Sequence, residues 1–202
     1  MFSLIGGDAA LDFLNTRPLR GGKDQEQLIN FAHLLRWARA VGIVNPEDDR
    51  LERFGDRPEG AAALSAACAL REAFRTALAA IAADEPPPAN LTKLVNHALG
   101  ARNGSMTLTG AWPSFHCGFS GPLETPHHLL AAIAERIAAL LSSGRIDRVR
   151  LCRSGNCVLW FLDTTRNGSR LWCSMAGCGA RAKAAAYYRR RRADRKTDPR
   201  RA

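Results

Sequence analysis

The sequence predicts a mainly α chain with small β elements, an α+β fold in two parts: a helical N-terminal domain carrying one β-hairpin, then a compact knuckle, hairpin and helix resembling a treble clef. Three observations predict it. Ala- and Leu-rich stretches repeat apolar residues at helical spacing through the first 144 residues. Two short runs, Ser105–Thr109 and Ser114–Phe119, have strand composition around Trp112-Pro113. Beyond Gly144, four cysteines fall in two pairs, with four residues inside each pair and fifteen between the pairs.

The elements follow in order. Gly6 to Thr16 reads as a short helix or turn ended by Arg17-Pro18. Asp24, with Gln27 three residues later, has the form of a capping box for a helix through Leu28, Phe31, Leu34, Leu35, Ala38 and Val41, stopped at Gly42. Asn45-Pro46 opens a further short helix. Glu59 to Ala83 is a long Ala-rich helix through Leu64, Leu70, Phe74, Leu78 and Ile81; Cys68, among small apolar residues, is expected to pack in the core. Pro86-Pro87-Pro88 is a stiff spacer, and Asn90 is expected to cap a helix ending at Gly100. Thr125-Pro126 starts a helix whose apolar stripe is Leu129, Leu130, Ile133, Ile137, Leu140 and Leu141. The boundary therefore lies near Gly144, giving domains of residues 1–144 and 145–202. Asp194–Ala202 is polar and expected to be disordered.

Cys152, Cys157, Cys173 and Cys178 carry the chemistry. Two short-spaced pairs separated by a hairpin-sized gap match a tetrahedral metal site, and a closed set of soft thiolates favours zinc over iron. Four unliganded buried cysteines, or two disulfides, are the competing readings; the start of the chain has no secretion signal, which disfavours the disulfides. Four cysteine ligands leave no open coordination position, so one structural Zn²⁺ is expected and no catalytic one. Between the pairs, Val158–Leu162 and Arg170–Trp172 are expected to pair as a hairpin whose tip is Asn167-Gly168. A strand ending at Leu151 is expected to deliver Cys152, and an Ala-rich helix to follow Cys178.

Charge is divided unevenly. Residues 145–202 hold sixteen Lys/Arg against four Asp, a formal +12, while residues 1–144 hold thirteen against fifteen acids, or −2. Four thiolates and one divalent ion lower the C-terminal figure to +10. Such asymmetry marks a polyanion partner. A solubilising tail and a lipid-headgroup surface are alternatives, but no apolar insertion face accompanies the arginines. The expected nucleic-acid-binding set is Arg170, Arg181, Lys183, Tyr187, Tyr188, Arg189, Arg190, Arg191 and Arg192. The arginines would neutralise phosphates and the tyrosines would stack or bond to the backbone. DNA is the first choice and RNA the second. No apolar run reaches membrane-span length, so a cytoplasmic protein without membrane attachment is expected. There is no nucleophile elbow, phosphate-cradling glycine loop or HExxH motif, so an enzyme is not expected. A zinc-stapled protein-interaction module stays open as an alternative, as do a small-molecule effector and a homodimer. In the N-terminal domain, Asp12, Asn15, Thr16 and Arg71 are polar residues in apolar surroundings. They are expected to form a buried network or ligand pocket in which Asp12 lies against Arg71.

Two resemblances join these readings. The run from Cys152 and Cys157 through Leu162-Asp163-Thr164-Thr165-Arg166-Asn167, Arg170-Leu171-Trp172-Cys173-Ser174-Met175 and Cys178-Gly179-Ala180-Arg181-Ala182-Lys183 resembles the CGNR zinc finger. Ala180 stands where that family has asparagine, while all four metal ligands are kept. Leu11-Asp12-Phe13-Leu14-Asn15-Thr16 and Leu70-Arg71-Glu72 resemble the ABATE domain. That domain commonly precedes the CGNR finger in bacterial proteins regarded as stress-induced transcription regulators. The resemblance thus implies a DNA-binding regulator whose N-terminal domain senses or interacts.

Overall fold

A six-residue helix, α1 (Ala9–Leu14), lies at the centre of the molecule in this computed structural model, which describes residues 2–20, 23–111 and 113–197. Asp8 caps it by accepting from the Ala10 N–H at 3.0 Å. Leu11, Phe13 and Leu14 are fully buried, so this short helix is held by packing rather than propensity. The Phe13 ring lies 5.1 Å from that of Trp37 on α2 (Phe31–Ala40). The 25-residue α3 (Pro58–Ala82) forms a spine against α1, α2, α4 (Asn90–Leu99) and α5 (Pro126–Ser142). Gly60 lets α3 approach a 3₁₀ turn at Glu52–Phe54, since a Cβ there would sit 2.1 Å from the Phe54 carbonyl oxygen.

Among the described residues, three two-stranded antiparallel sheets complete the fold, together with α6 (Ala180–Thr197). Strands β1 (Leu19–Arg20) and β2 (Lys23–Asp24) form a small hairpin. Strands β3 (Ser105–Ala111) and β4 (Ser114–Ser120) form a larger one between α4 and α5. Strands β5 (Val149–Leu151) and β6 (Trp160–Leu162) pair after a 3₁₀ turn at Ile146–Arg148.

The backbone of β6 is bonded on both sides. Arg150 faces Phe161 across the ladder to β5. On the opposite edge, Asn15 Nδ2 donates to the Trp160 carbonyl at 2.8 Å and Asn15 Oδ1 accepts from the Trp160 N–H at 2.9 Å. The Leu162 N–H donates to the Gly6 carbonyl at 2.8 Å. An asparagine side chain thus stands in for a neighbouring strand. Val149, Trp160 and Leu162 consequently share one buried cluster with α1–α5, whereas Cys152, Leu159, Phe161, Cys173 and Cys178 form a second, smaller cluster. Asn15→Ala would leave a buried N–H and carbonyl unpaired. A loss of about 2–4 kcal/mol is expected in urea unfolding.

Several local expectations are corrected. Asp24 does not cap a helix: it lies in β2 and pairs with Arg17 at 2.9 Å, and α2 begins seven residues later. There Asn30 Oδ1 accepts from the His33 N–H at 3.0 Å and provides the true cap. Asn45-Pro46 opens a turn rather than a helix, with Asn45 Oδ1 accepting from the Glu47 N–H. Asn90 is the first residue of α4 and makes no side-chain cap. Arg170–Trp172 is not a strand; β5 occupies the edge of β6 that it was expected to take. Knuckle, hairpin and helix are all present, but the hairpin is β5–β6 and the knuckle is its loop. Helix α6 continues to Thr197, through Asp194–Thr197 of the expected disordered tail, whose remainder lies outside the described residues.

Candidate metal centre and basic helix

Strand β5 delivers Cys152, whose N–H donates to the Leu159 carbonyl at 2.9 Å. The knuckle closes where the Cys157 N–H donates to the Ser154 carbonyl, also at 2.9 Å. After β6 the chain must return a second cysteine pair to the first. Asp163, 1% exposed, directs that return. Its carboxylate accepts from the Thr165 N–H at 2.9 Å, the Thr165 hydroxyl at 2.6 Å and the Arg170 N–H at 2.9 Å. Burial alone would raise this carboxyl's pKa, but those donors outweigh it and hold the group below the usual carboxylate value. Asp163 was legible in the sequence only as a turn former.

Arg170 closes the same loop. Its guanidinium lies 4.4 Å over the Phe161 ring and donates to the carbonyls of Trp172, at 3.0 Å, and Cys173. Arg170, expected in the nucleic-acid-binding set, thus directs these donors at the finger's own backbone.

Cys173 then enters a wide π-type turn, Met175–Gly179, capped by Ser174, whose hydroxyl accepts from the Gly177 N–H at 3.1 Å. Cys178 lies in that turn. Gly179 is buried, and a Cβ there would sit 3.1 Å from both Met175 Sδ and Trp172 Cδ1. Ala180, the departure from the family motif, is exposed at the start of α6, outside the buried cysteine cluster.

The four Sγ atoms all lie within 4.8 Å of one another. Cys157 to Cys173 is 3.8 Å and Cys173 to Cys178 is 3.6 Å. Zn–S bonds of about 2.3 Å in a tetrahedron require S···S separations of about 3.8 Å. A disulfide needs sulfurs about 2.05 Å apart, and all four cysteines are free. The donor set fits one structural zinc ion. The excess negative charge of four thiolates also has partners: the Cys173 N–H donates to Cys152 Sγ at 3.4 Å, and Arg181 Nη2 donates to Cys178 Sγ at 3.0 Å.

Without a cation, burial pushes the Cys157 thiol up to about 11, and burial beside Cys157 pushes Cys173 higher still. Burial also acts to raise Cys178, but hydrogen bonds from Arg181 and the neighbouring thiols bring it below its ordinary value. Metal binding must therefore displace protons, so zinc affinity falls as the pH falls.

Helix α6 leaves this centre into solvent, and its principal neighbour is the π-type turn before it. From Ala180 to Arg192 only Ala182 and Ala186 are half-buried, and the others are exposed. Arg181, Ala184, Tyr188 and Arg192 fall along one side by helical spacing; Tyr187 and Arg191 lie beside them, and Lys183, two residues from Arg181, is turned toward the opposite side. The Tyr187 and Tyr188 rings meet edge to face at 5.7 Å, and the Arg191 guanidinium lies 5.8 Å from the Tyr187 ring centre. Lys183, Arg189 and Arg190 are exposed on the same helix. The arginines and lysine are thus on one projecting rod, except Arg170.

The N-terminal polar residues separate into three groups. Asp12 accepts from the Gly6 N–H at 2.7 Å, and burial raises its pKa. Asn15 clamps β6. Arg71, 1% exposed, donates to Thr16 Oγ1 at 2.8 Å and forms a two-pronged pair with Glu26, 2.9 Å through Nη1, with Glu72 at 3.2 Å. The expected Asp12–Arg71 contact is replaced by Glu26–Arg71, and among the described residues no hydrogen bond or ion pair joins Asp12 to Arg71. Glu26→Gln should cost about 2 kcal/mol, below the figure for a fully buried pair because Glu26 is partly open to solvent and Glu72 remains. The sign with pH follows from the carboxyl. Burial would raise it, but Arg71 outweighs burial and lowers it. The contribution is therefore complete above the ordinary glutamate range and is lost as pH falls through the depressed value. Denaturation across acid pH should show a shallower stability loss in Glu26→Gln than in the unchanged chain.

Known families account for nearly the whole chain. Residues 7–144 match the ABATE family model, described as "Putative stress-induced transcription regulator". Residues 148–191 match the CGNR zinc finger model, a span that holds the four cysteines and α6 as far as Arg191. No curated protein matched the chain. No described helix is long and apolar enough to cross a membrane. With more than half its length matched and its cysteines clustered for zinc, the chain belongs to the ABATE family and carries a CGNR zinc finger at its C-terminal end.

Proposed function

We propose that this protein is a DNA-binding transcription regulator in which zinc fixes the base of α6 and the exposed length of that helix engages the nucleic acid. The observation that carries the reading is a basic helix held at one end by the thiolate cluster and largely solvent-exposed from there to Arg192. A helix polar all round needs something other than a core to contact. The major groove of B-DNA, about 12 Å wide, admits a helix, whereas the deep, narrow major groove of A-form RNA does not. That geometry favours DNA. Four thiolates complete a tetrahedron and leave no open position, which supports a binding role rather than catalysis.

The N-terminal domain is the sensing or interacting part in this reading. It offers a groove of about 670 Å³ that includes Phe2, Ile29, His33, Arg36 and Glu26. Glu26 is also the counterion of Arg71, so an effector there would act on a residue tied to Thr16, next to the Asn15 clamp on β6.

Fluorescence anisotropy of labelled duplex DNA and RNA with zinc-loaded protein tests the proposal across a salt series. Log affinity for the duplex DNA should fall linearly with log salt, by about 0.9 per phosphate neutralised. Salt-independent binding, or none at low salt, would favour a zinc-stapled protein-interaction module.

A further inference from the structure

The β3–β4 hairpin turns its apolar side outward. Register places Met106 opposite Phe119, Leu108 opposite Cys117 and Gly110 opposite Phe115. Cross-strand partners share a face, so Met106, Leu108, Phe115, Cys117 and Phe119 line one side. Met106 is 59% exposed, Leu108 67% and Phe115 54%, and Cys117 is exposed as well. Phe119 is half-buried near the Arg102 guanidinium. The opposite face, with Thr107 and Gly118 half-buried, leans toward α5, where Glu135 Oε1 accepts from the Phe119 N–H at 3.3 Å. The usual arrangement is inverted: the small and polar face turns toward the protein and the large apolar face meets water.

A two-stranded hairpin is marginal by itself, and a contiguous exposed apolar patch marks an interface. Charge indicates what covers it. No Asp, Glu, Lys or Arg occurs from Ser105 to Ser120, in a chain whose net charge is +10. Arg102, beside Phe119, is largely buried and paired with Glu135, so it is not offered to a phosphate here. A second copy finds its own uncharged, equally apolar counterpart, with no like-charge contact at the centre.

We propose that two copies of this chain associate through this face, related by two-fold symmetry, with the hairpins stacked as two layers about 10 Å apart. Met106, Leu108 and Phe115 of each copy form the buried centre. Cys117, opposite Leu108 in the middle of the hairpin, is brought within cross-linking reach of its equivalent. The proposal is independent of what α6 binds.

Sedimentation equilibrium of the zinc-loaded full chain in reductant tests it. A dimer is expected, converted to monomer by Leu108→Glu and by Phe115→Glu while helical circular dichroism and zinc content are retained. Ser105→Glu, on the other face, should leave the dimer intact. In the unchanged chain, a short bismaleimide reagent should link two copies through Cys117, and Cys117→Ser should abolish the product. A monomer throughout the micromolar range, or a dimer that both glutamate variants and Cys117→Ser leave unchanged in mass and cross-linking, would overturn the proposal.

Discussion

Cys173→Ser is expected to abolish stoichiometric zinc binding and unfold the finger from Asp163 onward, the knuckle included. Cys173 is 2% exposed, its sulfur lies 3.8 Å from that of Cys157 and 3.6 Å from that of Cys178, and its N–H bonds to Cys152 Sγ. Structural zinc contributes about 10–16 kcal/mol of apparent binding energy, comparable to the whole stability of a typical domain. The small cluster around Phe161 and Leu159 cannot replace it. The damage should nevertheless stop at β6. Trp160 and Leu162 are held from the other side by Asn15, Gly6 and the main core. In hydrogen exchange, Cys173→Ser or chelation should remove protection from the knuckle, residues 163–179 and α6, and preserve it in α3 and α5. Simultaneous loss everywhere would mean that the two clusters unfold as one unit and that the Asn15 clamp does not insulate them.

Neutralising Arg189, Arg190, Arg191 and Arg192 together is expected to weaken DNA binding by two orders of magnitude or more near physiological salt. The salt slope should flatten by about 0.9 for each phosphate no longer neutralised, or about 3.6 for all four arginines. The residues are exposed and distant from the thiolates, so zinc content and thermal stability should be unchanged. The effect should be similar across DNA sequences, as for phosphate recognition generally. Arg181→Ala should behave differently. It removes a 3.0 Å hydrogen bond to Cys178 Sγ, so the expected result is zinc affinity lower by about 10–100-fold. If the quadruple variant keeps its affinity and slope, α6 is not the nucleic-acid surface.

What could be read in the sequence was what local spacing encodes. The metal ligands stood out because thiolate pairs with four residues between their members satisfy a coordination rule that is independent of the rest of the fold. Helices α3 and α5 were legible because each repeats apolar residues at helical spacing, and α5 also opens with Pro126 at its first turn. Partnerships between distant segments were not legible. Arg71 had to find a counterion, but Glu26, 45 residues away, lies in a stretch that read as the first turn of a helix. Asn15 looked like a member of a polar network, yet it replaces a strand for Trp160, 145 residues away. Composition assigned strand character to Val158–Leu162 and Arg170–Trp172 and so paired them. The pairing was decided instead by the edge of β6 open to β5, and by Asp163, whose carboxylate binds the loop that the second strand would have needed. Arg170 resembled a free cation because charge is visible in sequence, whereas the carbonyls that take up its donors are not.

The thiolate cluster holds the base of α6 and the finger together, and X-ray absorption at the zinc edge measures it directly. One zinc per chain, surrounded by four sulfur scatterers at about 2.3 Å with no nitrogen or oxygen in the shell, is the predicted result. A mixed sulfur and nitrogen or oxygen shell, fewer than four sulfurs, or protein purified under reducing conditions without stoichiometric metal would contradict it.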